Sequence, residues 1–339
     1  MKNVFVCGLF CFALAATVRA GPLKVYILAG QSNMQGTAAV RTFPHIGMDP
    51  ETAPLLARML DAEGEPRVIE QVRITYLSED RSGNPVERHG PLTTGFGVRD
   101  DTIGPEFMFG IHMHESLNEP ILLIKTAWGG KSLAQDFRPP SGATEEFPTG
   151  EYYRRMMAHV RQVLADPGRY HPAYNPDDGI EIAGFVWFQG WNDMTDRGTY
   201  PERDRPGGYA LYTQLLAHLI RDVRAELNTP ALRFVIGVLG VGGPTERYDS
   251  PRFRGIHQNF RDAMAAPAAM PEFEENVVAV LTERFWDHEL VAAVAKRDDR
   301  TAEEEAIARG ASNQGFHYLG SGKMFAQFGK AFAEAMLGR

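Results

Sequence analysis

The sequence predicts an α/β protein: a mainly parallel sheet with helices on both faces. Three observations predict it. Short, unbroken apolar runs recur at Val25–Ala29, Ile121–Ala127, Ile182–Gln189, Phe234–Leu239 and Val277–Leu281; runs this short, bounded by glycine or turn residues, suit strands buried on both sides. Amphipathic helical patterns lie between most of them, and alternation of the two element types favours parallel pairing through crossover helices. The joining segments Gln35–Ala53, Asp80–Thr102, Gln135–Gly150, Met194–Gly207, Gly242–Pro251 and Trp286–Ala311 are long and rich in Gly, Pro, Arg and Asp, as functional loops on a compact domain are.

Residues 1–20 read as a targeting segment. Lys2 gives the positive start, Val4 to Ala16 the apolar run, and Val18-Arg19-Ala20 a small-residue cleavage site before Gly21. The run is too short for a membrane anchor. The expectation is a leader over 1–20 and one domain over 21–339, exported and either periplasmic or secreted. Both cysteines, Cys7 and Cys11, fall in the leader, so the mature chain would have neither disulfides nor thiolate metal ligands. Losing Lys2 and Arg19 would take the net charge from −8 to −10. An acidic chain without a basic run gives no case for binding nucleic acid or, once the leader is gone, membranes.

The first mature strand, Val25–Ala29, runs into Gly30-Gln31-Ser32-Asn33-Met34. Pro54–Glu63 carries Leu55, Leu56, Met59 and Leu60 at helical spacing, with proline tolerated at the first turn. Arg67–Leu77 is an extended run, a candidate extra strand on the rim. Helices are expected at Gly104–Leu117, Tyr152–Leu164 and Tyr209–Leu227. The last, Lys323–Leu337, puts Met324, Phe328, Phe332 and Met336 on one stripe facing the core.

Chemistry-bearing residues follow three of the strands. Ser32 follows the first, Gly129-Gly130-Lys131-Ser132 the second, and Gly190-Trp191-Asn192-Asp193 the third; His317 comes just before the last helix. Reacting groups in open parallel sheets collect beyond the carboxyl ends of strands. A serine needs a base to take its proton, and histidine titrates near neutrality. Ester attack also needs donors aimed at the developing oxyanion. The amides of Ser32 and Gly130 and the side chain of Asn192 could supply them. Alone, each piece has a plainer reading: a turn serine, a tight glycine turn, a helix-capping asparagine, a satisfied histidine. Their order along the chain makes the combination specific.

These residues resemble the four blocks of the SGNH hydrolases. Gly-Gln-Ser-Asn-Met, Ala-Trp-Gly-Gly (Ala127–Gly130) and Trp-Phe-Gln-Gly (Trp187–Gly190) are most similar to the sialate O-acetylesterase type, carbohydrate esterase family six. The resemblance implies a flavodoxin-like three-layer α/β/α sandwich with a mainly parallel five-stranded sheet of order 2-1-3-4-5. It implies a site without cofactor or metal, and removal of acetyl groups from an acetylated carbohydrate. By position, Ser32 would be the nucleophile, Gly130 and Asn192 the oxyanion donors, and His317 the base. Gln31, Trp128, Gly129, Gln189 and Trp191, beside the motifs, are candidates to shape the acetyl and sugar pocket; core packing is the alternative for the tryptophans and Gln189.

One departure stands out. The family carries an aspartate three residues before the histidine, where this chain has Gln314. A glutamine oxygen can accept from the imidazole Nδ1–H but carries no charge. Either a Ser–His dyad works with a neutral orienter, or a carboxylate arrives from elsewhere, with Asp287 and Glu289 nearest by topology. The alternatives to the acetylesterase are a catalytically impaired relative that binds glycans and an SGNH esterase or lipase for longer acyl chains. The α/β-hydrolase elbow is disfavoured because Met34 occupies its second glycine position. His112 and His114, two apart on an expected helix, do not share a face.

Overall fold

The computed structural model describes residues 21–339; the expected leader, with both cysteines, lies outside the described residues. The main sheet has seven strands: β1 (Leu23–Gly30), β2 (Ile69–Glu79), β3 (Pro85–Leu92), β4 (Ile121–Ala127), β5 (Ile180–Phe188), β6 (Phe234–Val238) and β7 (Val277–Leu281). Their order in space is β3-β2-β4-β1-β5-β6-β7. All neighbours pair in parallel except β3, which runs antiparallel to β2.

The five expected strands occur in the order 2-1-3-4-5, but the sheet is seven-stranded rather than five-stranded. Both added strands lie beyond β4. β2 is the extended run foreseen on the rim, which here joins the sheet itself. β3 falls within Asp80–Thr102, expected to be loop. Its residues alternate between exposed and half-buried, so it lacks the continuous apolar signature of a strand covered on both sides. Trp286–Ala311 likewise holds two short helices, His288–Ala295 and Ala302–Ala308, where a loop was expected. Asp287 caps the first, and a Thr301–Glu304 capping box opens the second.

Five longer helices cover the sheet: α1 (Glu106–Leu117), α2 (Glu151–Ala165), α3 (Ala210–Glu226), α4 (Pro251–Ala265) and α5 (Gly322–Leu337). Successive strand residues point to opposite faces, and β5 shows which helices lie where. Trp187 reaches α3, donating from its indole nitrogen to Tyr212 OH at 3.4 Å. Next to it, Phe188 packs its ring on Phe328 and Phe332 of α5. Helix α1 packs on α5, and α3 on α4.

Three strands end together. Gly30 of β1 lies opposite Ala127 of β4 on one side and Phe188 of β5 on the other. The approach to β5 is close: a Cβ on Gly30 would sit 2.1 Å from the Phe188 carbonyl oxygen. Glycine is therefore a requirement of the sheet at this point, and the segments leaving these three ends emerge side by side.

Candidate active site

Ser32 opens a four-residue helix, Ser32–Gln35, directly after β1. It is 7% exposed. The helix is held from below by Lys125 of β4, whose buried Nζ donates to the carbonyls of Gln35 (2.8 Å) and Phe96 (2.7 Å) and to Glu106 Oε2 (2.7 Å). Burial drives the Lys125 ammonium down to about 8, against the pull of Glu106. Glu106 is itself buried and accepts the Gly104 amide through its other oxygen at 2.8 Å. The apolar strand thus carries one charge inward, and that charge anchors the end of the serine helix.

Gln31 is the knot between the first and third blocks. Its Oε1 accepts from the amides of Gly190 (3.0 Å) and Asn192 (3.4 Å) and from Gln189 Nε2 (3.2 Å). Its Nε2 donates to Asn192 Oδ1 at 3.0 Å and lies 3.5 Å from Ser32 Oγ. Because Gln31 occupies the Asn192 oxygen, the Asn192 Nδ2 hydrogens are left over. Among the described hydrogen bonds none uses them.

Asp193 is fully buried and braces the second block. It accepts from the amides of Leu133 (2.8 Å) and Ala134 (3.0 Å), from Gln189 Nε2 (2.6 Å) and from Tyr200 OH (3.1 Å). Burial lifts its carboxyl to about 6 despite these four donors. Gln189 Nε2 also donates to the Lys131 carbonyl at 3.0 Å. The turn before it, Gly129-Gly130, is exposed. A Cβ on Gly129 would come within 4.0 Å of Ser32 Cβ, whereas one on Gly130 would meet nothing within 4 Å. Gly130 has φ +73°, a left-handed conformation suited to glycine.

His317 sits in a tight loop folded back on itself. The amides of Ser312 and Asn313 both donate to the Leu319 carbonyl, at 2.7 and 2.9 Å, and those of His317 and Leu319 to the Gln314 carbonyl, each at 3.0 Å. Tyr318 and Leu319 take left-handed φ values of 49° and 55° to complete the reversal. The serine helix packs on Gly315–Gly320, and Asn33 Nδ2 donates to the Phe316 carbonyl at 3.3 Å. No described hydrogen bond joins Ser32 Oγ directly to His317. The imidazole is half-buried, and burial holds its pKa below the ordinary value.

Among the described hydrogen bonds and ion pairs, none joins the side chain of Gln314, Asp287 or Glu289 to the His317 imidazole. Gln314 is exposed, and its backbone amide donates to Asn313 Oδ1 at 2.8 Å. Asp287 caps the helix after it through the Leu290 amide (2.9 Å) and pairs with Lys323 at 3.2 Å. The residue at His317 Nδ1 is Asn313, with Oδ1 at 2.9 Å. Its position four before the histidine, rather than three, hid it from a motif reading. The folded-back loop is what brings the two together.

The remaining sequence candidates divide by burial. Trp128 and Gln189 are each 1% exposed. The Trp128 ring packs on Phe137 and Tyr152, and Gln189 is taken up with Gln31, Asp193 and Tyr212. Trp191 is half-buried and stacks on Phe316, centroids 5.6 Å apart and planes 26° from parallel. Sequence reasoning gave Phe316 no part in the site. His112 and His114 face different partners, Arg58 and the Glu119 carbonyl.

Compared with known families, residues 22–272 match that of the carbohydrate esterases described as sialic acid-specific acetylesterase. The chain belongs to this family. As a sialic acid-specific acetylesterase family member it is a carboxylic ester hydrolase of the carbohydrate acetylesterase class. None of the curated proteins compared with it matches. Among solved structures it is similar to a protein from Arabidopsis thaliana, at 19% identity and TM-score 0.49, over 94% of this chain and 99% of that one. A carbohydrate acetylesterase from Xanthomonas citri aligns at 16% identity and TM-score 0.44, over 80% of this chain and 55% of that one. NanS aligns at 15% and 0.43, over 78% of each. Among the described residues of this family member, no helix is long and apolar enough to cross a membrane.

Proposed function

We propose that the chain is an exported serine esterase that removes O-acetyl groups from a carbohydrate through an acetyl-enzyme. Ser32 Oγ attacks the acetyl carbonyl while His317 Nε2 takes its proton. The C–O bond to the sugar then breaks, and the imidazolium returns that proton to the departing sugar oxygen. Water attacks acetyl-Ser32, giving its proton to Nε2. Acetate leaves and the hydroxyl is restored. The amides of Ser32 and Gly130 and the Asn192 Nδ2 hydrogens meet the oxyanion, each donor worth about a hundred- to a thousandfold in rate. Substrate seating closes the Ser32–His317 hydrogen bond, as catalytic contacts commonly tighten only in the complex.

The observation that carries this reading is the Asn192 side chain, whose oxygen is engaged and whose Nδ2 donates in none of the described hydrogen bonds. Gln31 Nε2 occupies its oxygen at 3.0 Å and itself lies 3.5 Å from Ser32 Oγ, so what Asn192 has left to offer a substrate is a donor and not an acceptor. Asn313 supports the same reading as a neutral orienter. In a Ser-His-Asp triad, Asp to Asn costs about 10⁴ because the wrong imidazole tautomer is held. Here the Gln314 amide already donates to Asn313 Oδ1, so that atom is the acceptor. It takes a hydrogen from Nδ1 and leaves Nε2 bare. The expected leader over residues 1–20 supports export. The test is acetate release from an acetylated sugar by wild type and Ser32→Ala: the variant is expected to release none, and comparable turnover in both overturns the assignment.

A further inference from the structure

The proton path of the proposed reaction fixes where the sugar must lie. His317 has to reach the leaving oxygen, so the sugar ring occupies the imidazole side of the site, away from the oxyanion donors. Two aromatic rings flank that side. Phe316 is 38% exposed, with its ring centroid 4.3 Å from that of His317. Trp191 stacks on Phe316, with centroids 5.6 Å apart. The two residues come from opposite ends of the site: one follows Gly190 in the third block, the other precedes the base. The Phe316 backbone is pinned by Asn33, and Trp191 begins a short helix after β5, so both rings stand on fixed backbone.

Phe316 is exposed and Trp191 half-buried, so neither ring is fully covered beside a polar reaction centre. The pair's chemistry matches one part of a carbohydrate. A pyranose with equatorial substituents carries axial C–H bonds on a flat, weakly polar face, and an electron-rich ring face receives such hydrogens. We propose that Trp191 and Phe316 form a stacking platform for the acetylated pyranose, holding its C–H face while the acetyl group enters between Ser32, Gly130 and Asn192. This rests on the esterase reading above and specifies its leaving group: a ring-shaped sugar rather than an acyclic alcohol. The hydroxyl groups on the ring's edge remain free for solvent and the surrounding loops.

The test compares two acetate esters, an O-acetylated methyl β-xylopyranoside and ethyl acetate, in wild type, Phe316→Ala, Trp191→Ala and the conservative Phe316→Tyr and Trp191→Phe. Acetate release gives kcat/KM for each ester, and the ratio of the two isolates the platform, because any disturbance of His317 through Phe316 lowers both. Each alanine variant is expected to lower the ratio about tenfold, the worth of roughly one good aromatic contact, with the aromatic replacements restoring most of it. An unchanged ratio with both esters still turned over overturns the platform and leaves the esterase standing. If wild type releases acetate from neither ester, the esterase reading fails. The platform is then read by tryptophan fluorescence of the wild type titrated with methyl β-xylopyranoside. A saturable change absent from Trp191→Ala upholds it, and no change overturns it.

Discussion

Asn313 Oδ1 lies 2.9 Å from His317 Nδ1, and the same oxygen accepts the Gln314 backbone amide at 2.8 Å. One atom is therefore both the partner of the imidazole and part of the loop's own hydrogen bonding. Its place four residues before the histidine depends on the chain reversal through Tyr318 and Leu319. Among the described contacts, the imidazole is oriented without a carboxylate.

Removing that oxygen should free the ring to rotate and to take either tautomer. Asn313→Ala is expected to lower kcat roughly a hundredfold, the lower range for positioned acid–base catalysis, with a smaller change in KM. Asn313→Asp should instead raise kcat, because a carboxylate stabilises the imidazolium formed during attack. Steady-state acetate release from both variants checks this.

The pH profile follows from the neutral setting of the base. In the proposed reaction only the uncharged ring accepts the Ser32 proton, so activity is expected above the His317 pKa and is expected to be lost as pH falls through it. Burial holds that pKa below the ordinary 6.5. The acid limb of kcat/KM is expected below pH 6.5 in wild type. In Asn313→Asp the added negative charge favours the charged ring, so the limb moves to higher pH. A limb that stays in place in that variant would contradict the contact.

Beneath the serine, Lys125 and Glu106 are both fully buried. Lys125→Met leaves a buried carboxylate without its cation and the Gln35 and Phe96 carbonyls without their donor. The expected loss is about 3–5 kcal/mol, read as a shift in the urea midpoint. Adding Glu106→Gln to the same chain should recover part of it, since the uncompensated charge is then gone.

Asp193 gives a second structural test at the site. Asp193→Ala strips the acceptor from two backbone amides, a glutamine and a tyrosine at once. About 2–4 kcal/mol of stability should be lost. The turn carrying Gly130 should also loosen, so kcat/KM for acetate release is expected to fall even below the temperature at which the variant unfolds.

What the sequence disclosed follows burial. Strands β1, β4, β5, β6 and β7 stand out as apolar runs because most are covered on both sides, and the residues at their carboxyl ends could be ordered along the chain. β3 could not be seen, because Pro85, Glu87 and His89 face out between half-buried neighbours. The tie between Gln31 and Asn192 was equally hidden, being a side-chain contact 161 residues apart. Asn313 and Phe316 escaped for a related reason. Their roles come from a backbone reversal and a ring stack, neither of which leaves a periodic trace. Trp128 and Gln189 were candidates for the pocket or for core packing on account of their neighbours in the motifs; both are buried.

The outermost strand, β3, has a further effect on how copies of this molecule meet. It offers its open side to the surroundings, and such a side can template the growth of fibres. Pro85 and Pro91 at either end have no amide hydrogen to give, and Glu87, Arg88 and His89 place ionisable groups between them. A second molecule trying to extend the array would find gaps where donors should be, and charge where it needs a dry seam. The polar alternation that concealed this strand from a reading of the sequence also makes the kind of edge that disfavours one molecule zipping onto the next.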